Sequence, residues 1–237
     1  MSKAAAPPRP RAQRRGPRRR PAPAPDSSRQ ALFAAAAREF ARHGFAGASV
    51  DRIAAAARLN KAMIYYHFGS KGRLYAEILH DMFSAVGARV RAVADSNASA
   101  EDKVRQFVEA IAAEAEARPH FPPIWCREVA DEGRHFGQDT GREVASIVGT
   151  LGRMIDEGVR AGIFVPAPHM LVHVGLIGPL LLFFASTPLR ARLSRAGVRG
   201  AAELNRDQVV GHIQKVTLGV LRGMTAEAGR KAKSRSV

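Results

Sequence analysis

The chain has 237 residues, 46% apolar and 6% aromatic, with 37 Lys and Arg against 21 Asp and Glu and a formal charge of +16. That length and apolar content fit one large domain, or one small and one medium, and exclude a collagen-like or wholly disordered chain. The single cysteine, Cys126, excludes an intramolecular disulfide framework and a multi-cysteine metal site, and fits a reducing compartment.

The charge is unevenly placed. Residues 1–25 carry eight cations and no acid, residues 26–75 a net +5, residues 76–221 a net −1 and residues 222–237 a net +4. A basic end on a neutral body implies a polyanion-binding module joined to a module with another task. Residues 1–25 also hold seven prolines, so no helix is expected there. The prolines argue against an amphipathic transit peptide, and a secretory signal does not fit because no long uncharged apolar run directly follows the arginine cluster. The segment reads as an extended cationic arm or a plain solvated tail.

From there on the periodicity is helical, and no run alternates with period two as a strand would. A first helix is expected from about Ser27 to His43, with Leu32, Phe33, Ala36 and Phe40 on one face and Gly44 as its stop. A second starts after Ser49 as cap and ends near Ala57, turning Val50, Ile53 and Ala54 inward. A third, short one runs from Asn60 as cap to about His67, with Ile64 and Phe68 inward. A long fourth starts after Ser70 and carries Leu74, Ile78, Leu79, Met82, Phe83, Val86 and Val90 on one stripe.

The body continues in the same manner. Val104, Phe107, Val108 and Ile111 mark a fifth helix, and a short one follows Pro122-Pro123 within residues 119–134. Val144 to Val159 mark a seventh, stopped near Gly162; residues 168–185 form an eighth, and Val209, Ile213, Val216 and Val220 mark the last. Gly162 to Leu189 lacks any Asp, Glu, Lys or Arg, but four prolines and two histidines interrupt it. A helix buried in protein or in a subunit interface fits better than a membrane span.

Segment 49–71 carries the chemistry. Two short helices around a turn at Arg58-Leu59 fit a helix-turn-helix. The third helix shows Lys61, Ala62, Met63, Tyr65, Tyr66 and His67 around its inward pair, an odd set for a solvated face and a sensible one for a recognition helix in a major groove. Lys61 suits guanine or phosphate, Ala62 and Met63 a thymine methyl, and the tyrosines and imidazole phosphate, with at least one tyrosine ring partly in the core. Lys71, at the first position of the fourth helix, opposes the macrodipole unless a phosphate binds there, and Ser49 is placed for the same use as well as for capping.

Residues 31–79, above all Ile64-Tyr65-Tyr66-His67-Phe68-Gly69-Ser70-Lys71, closely resemble the DNA-binding domain of TetR-type transcriptional regulators. The resemblance implies an all-α protomer with a three-helix helix-turn-helix head and a larger helical body for ligand binding and dimerisation. It divides the chain into a basic arm (1–25), a DNA-binding domain (26–72), a helical ligand-binding and dimerisation domain (73–226) and a basic tail (227–237). Carried over by position, DNA contacts fall on Ser49, Lys61, Ala62, Met63, Tyr65, Tyr66, His67 and Lys71. It further implies a cytoplasmic, ligand-responsive repressor acting as a homodimer on a pseudo-palindromic operator.

Two features depart from the family pattern. Arg58 stands where the inter-helix turn usually has glycine, and the arm is longer than the family needs. The arm is expected to lie in the minor groove, so that deleting residues 2–25 would flatten the salt dependence of operator binding.

In the body, Met82, Phe83, Phe107, Ile111, Phe121, Trp125, Met154 and Phe183 are candidates to line an apolar effector cavity, with core packing as the alternative for each. His173, Leu176, Leu180 and Phe184 with Ile213, Val216 and Val220 are candidates for a two-fold four-helix interface. The expected effector is a small apolar or amphipathic molecule. Asp131, Glu132 and His135 are too sparse a set to predict a metal, and no cofactor is expected. No Walker loop, dinucleotide fingerprint, nucleophile elbow or metalloprotease His pair occurs, so an enzyme is not expected. The remaining alternatives are a regulator controlled by a protein partner and a sequence-indifferent DNA-binding protein.

Overall fold

The computed structural model describes residues 25–223, and among these it has ten helices and no strand. They are α1 (Pro25–Gly47), α2 (Val50–Ala57), α3 (Ala62–Phe68), α4 (Lys71–Ala94), α5 (Ala100–Ala117), α6 (Phe121–Ala130), α7 (Gln138–Arg160), α8 (His169–Ala185), α9 (Thr187–Arg195) and α10 (Arg206–Leu221). The expected arm and tail lie outside the described residues, apart from Pro25, which opens α1.

Local chemistry accounts for the helix ends. Gly44 breaks α1 with φ 69° and ψ 177°, a conformation that favours glycine. Ser49, Ser70 and Ser99 accept the amide of the residue three further on at the starts of α2, α4 and α5. Pro122 and Pro123 fall in the first turn of α6, where no amide donor is needed. Asn205 and Gln208 form a reciprocal capping box at α10.

α1 to α3 pack on one another, and α1 and α3 also pack against α4, which runs along α7 and α5 in the body. The apolar core is continuous from Leu32 and Phe40 in the head, through Tyr75, Ile78 and Met82 of α4, to Leu221 at the end of α10. Within the body, Lys103 is buried against Glu157 at 2.9 Å, and the buried Glu114 pairs with Arg89 and Arg118. These partners meet the desolvation penalty that an isolated buried charge would carry.

Two expectations need correction here. The sequence reading has no helix at α9, because its Leu189 and Leu193 are exposed and none of its residues is buried; without a core face there is no apolar stripe to detect. Most of the interface face assigned to the last helices is also turned inward. His173, Leu176, Leu180 and Ile213 lie inside the protomer, and Phe184 is half-buried. The apolar side chains that α8 and α10 leave exposed are Met170, Leu171, Val174 and Leu182, together with Val216 and Val220, the two members of the expected set that do face outward. Both faces of α8 are apolar, so sequence periodicity has no polar side from which to fix its rotation.

No single helix among the described residues is long and apolar enough to cross a membrane. α8 and α9 together reach that composition but are bent by 63° at their junction.

Candidate nucleic-acid interface

The helix-turn-helix is built around a strained link. Arg58 closes α2 in the left-handed region (φ 57°, ψ 38°), its amide donating to the carbonyls of Ala54 and Ala55. A side chain there costs roughly 1–2 kcal/mol relative to glycine's freedom of conformation. The turn is therefore kept despite the substitution, and the guanidinium is carried on an exposed residue. Asn60 Oδ1 then accepts the Ala62 amide at 2.9 Å, starting α3 as its sequence position implied.

A second group of bonds fixes α2 to α1. Glu39 Oε1 accepts the Ser49 amide at 3.1 Å and the Arg52 guanidinium at 2.6 Å, and Arg52 also donates to the Gly47 carbonyl. Burial pushes the Glu39 carboxyl up, but the Ser49 amide and Arg52 overcome it and hold its pKa below the usual value.

α3 is divided as a probe must be. Ile64 and Phe68 are buried, 0% and 5% exposed, whereas Tyr65 and Tyr66 are 51% and 76% exposed. Neither tyrosine ring belongs to the core, against the expectation that one would. Lys61 and Ala62 are exposed, Met63 is half-buried against the core, and Ser49 is half-buried at the start of α2. Lys61 Nζ lies 3.2 Å from Asp51, an exposed ion pair that costs little to exchange for a phosphate or base edge.

Two of the expected contacts have intramolecular roles. His67 is half-buried, with Nε2 2.8 Å from Ser28 Oγ of α1, so its ring ties the recognition helix to the head. Lys71 is half-buried with Nζ 4.7 Å from the centre of the Phe45 ring. That cation–π contact stabilises a lysine at a helix start where the macrodipole opposes it.

Phe45 is also part of the junction between head and body. Its ring lies 5.2 Å from Tyr75 and 4.5 Å from His135, centre to centre. The Tyr75 hydroxyl donates to Glu128 Oε1 at 2.7 Å, and His135 Nδ1 is 2.9 Å from the same oxygen. Burial first, and then the Glu128 carboxylate, hold the Tyr75 pKa far above the ordinary phenol range, so the hydroxyl keeps its proton. Arg127 adds a bond from α6 to the Arg42 carbonyl of α1 at 2.9 Å. The sequence reading missed this network; its four polar members are scattered from residue 75 to residue 135 with no common spacing. Glu128, Asp131 and His135 bring possible ligand atoms within 4.8 Å of one another, with Glu128 in place of the Glu132 considered from sequence.

A small apolar cavity of about 30 Å³ lies in the body, walled by residues of α4 to α8. Phe83, Ile111, Phe121 and Trp125, four of the candidates, lie on its wall with His173. Met82, Phe107 and Met154 do not; they are almost wholly buried in the packed core. Phe183 is also absent from the wall and is covered by the Arg190 guanidinium, 4.1 Å from its ring centre. Burial pushes the half-buried Cys126 thiol up, which disfavours the reactive thiolate.

Two short helices around a tight turn, the second carrying exposed polar side chains, form a helix-turn-helix head on a larger all-helical body. Residues 32–78 match the family described as bacterial regulatory proteins, tetR family. The transcriptional repressor SCO4008 of Streptomyces coelicolor is 54% identical over 55 residues, 23% of this chain and 29% of that protein. The transcriptional repressor NicS of Pseudomonas putida is 28% identical over 141 residues, 59% of this chain and 66% of that protein. The chain thus spans less than two thirds of the length of either relative. Beyond the head, the fold matches the crystal structure of a tetR-family regulatory protein from Rhodococcus RHA1, with a TM-score of 0.66 at 16% identity, covering 82% of this chain and 96% of that one. Over residues 32–78 the chain is thus similar to the tetR family of bacterial regulatory proteins.

Proposed function

We propose that the protein is a homodimeric, ligand-responsive repressor that binds a pseudo-palindromic operator through α3. The observation that carries this reading is the division of α3: Ile64 and Phe68 anchor it while Lys61, Tyr65 and Tyr66 stand in solvent. An exposed lysine at the N-cap and two exposed tyrosines on the seven-residue helix supply donors for base edges and phosphates. In this reading Ser49 at the start of α2 and Ala62 and Met63 at the start of α3 contact the duplex, and His67 and Lys71 hold α3 in place. Both similar proteins are transcriptional repressors, and a cytoplasmic location goes with that role.

Dimerisation is assigned to the exposed apolar faces of α8 and α10, around Leu171, Val174, Leu182 and Val216. Such a surface on two neighbouring helices suits a two-fold four-helix contact, and it would set the spacing of two recognition helices near one turn of DNA. α6 links effector to operator. Trp125 forms a wall of the cavity, and two and three residues later Arg127 and Glu128 bond to α1 and α4. A ligand that moves Trp125 therefore changes the seating of the head, and it acts by its differential affinity for the two arrangements.

The test is protection of DNA by the purified full chain, using fragments from around its own gene and random duplex as competitor. One short palindrome should be protected with at least about a thousandfold preference at physiological salt. Equal affinity for random duplex would refute the reading and favour a sequence-indifferent DNA-binding protein.

A further inference from the structure

Among the described residues, three buried side-chain polar atoms lack a hydrogen-bond partner: His120 Nε2, Glu128 Oε2 and His173 Nδ1. Glu128 is bonded through its other oxygen by Tyr75 and His135. His173 differs in lying on the wall of the apolar cavity while itself only 8% exposed. No Asp, Glu, Lys or Arg lines that cavity, and apart from the Trp125 indole N–H its other side chains carry no polar atom. Burial holds the His173 pKa below its usual value, so the ring is neutral, with one nitrogen a donor and the other an acceptor. A buried ring nitrogen left unpaired costs stability, and such groups are normally bonded.

We propose that the cavity takes an uncharged, largely apolar molecule of aromatic size bearing one hydroxyl, which hydrogen-bonds to His173 Nδ1. The proposal rests on reading this cavity as the effector site. A charged ligand is excluded by the lack of any opposite charge on the wall, since the desolvation cost would go unmet. A hydroxyl both donates and accepts, so it satisfies either tautomer of the ring. The cavity of about 30 Å³ is smaller than the roughly 150 Å³ that admits benzene, so binding must widen it. Trp125, half-buried and packed at 5.5 Å on Phe83 and 6.3 Å on Phe136, is the large side chain placed to give way.

Trp125 is also the only tryptophan of the chain, so its fluorescence reports occupancy. The probes are 4-methylphenol and toluene, titrated into the full-length protein and into its H173L and H173Q variants, each first checked for helicity. The affinity of 4-methylphenol relative to toluene should be roughly three- to tenfold greater in wild type than in H173L, with H173Q restoring part of the preference. An unchanged ratio in H173L overturns the proposal. If the variants do not fold, a crystal of wild type with 4-methylphenol decides: the hydroxyl lies within about 3.2 Å of His173 Nδ1 or the proposal fails. No fluorescence response to either probe would refute the cavity as a binding site altogether. Binding of 4-methylphenol with the His173 bond intact but no loss of operator affinity would uphold the ligand class and refute only the effector reading.

Discussion

Replacing Tyr66 by alanine separates a recognition role from a packing role on the same short helix. Tyr66 is 76% exposed, so truncation removes little buried area and should change folding stability by no more than about 0.5 kcal/mol. If its hydroxyl meets a phosphate, the lost bond to a charged group is worth about 1.5–3 kcal/mol. A homodimer loses it twice, about 3–6 kcal/mol per operator, a fall in affinity of more than a hundredfold. Ile64→Ala is the counterpart. Ile64 is 0% exposed, and its truncation should cost about 2–5 kcal/mol of stability, lowering Tm by roughly 4–20 °C. The assay is fluorescence anisotropy with labelled operator at fixed salt, run beside thermal unfolding of each variant. A Tyr66→Ala protein that binds operator normally but melts as early as Ile64→Ala would show that the tyrosine is packing, and would remove the basis of the assignment.

Three further outcomes follow from other parts of the molecule. Arg58→Gly should raise stability by about 0.5–1 kcal/mol in urea unfolding, because the left-handed conformation at φ 57° no longer opposes a side chain, less glycine's entropy in the unfolded chain; a loss of stability would contradict the strain. Val174→Arg places a charge on the exposed apolar face of α8, and sedimentation should show helical monomers with operator affinity largely lost, whereas an intact dimer would assign the interface elsewhere. Glu39 has a depressed carboxyl pKa, so the native state binds fewer protons than the unfolded chain as pH falls through 4.5. Its contribution is present above that pH and is lost as pH drops through the lower native value. Glu39→Gln should therefore be less stable than wild type at neutral pH, with the difference closing as pH falls below 4.5; a gap that stays constant with pH would reject the linkage.

Much of the head is legible in the residues because its determinants are local. Caps at Ser49, Asn60 and Ser70 and the break at Gly44 act over four or five positions, and the inward pair Ile64 and Phe68 needs only helical spacing. The positive φ at Arg58 was legible as a departure from glycine, since the turn and not the side chain sets the backbone there.

Other features depended on which surfaces meet in space. The sequence shows that α8 is apolar, but an all-round apolar helix does not reveal which side is core; packing against α6 and α10 turns His173 and Leu176 inward and leaves Leu171 and Val174 outside. Met82 and Phe83 are adjacent on one helix, yet only Phe83 reaches the cavity, because a cavity is where packing from several helices fails to meet. The Tyr75, Glu128 and His135 network likewise joins residues up to 60 positions apart through hydrogen bonds. The sequence by itself determined nine of the ten helices, their local caps and the polar side chains around α3; only the tertiary structure decided α9, rotation, cavity and junction, because each is a relation between surfaces and not a local pattern.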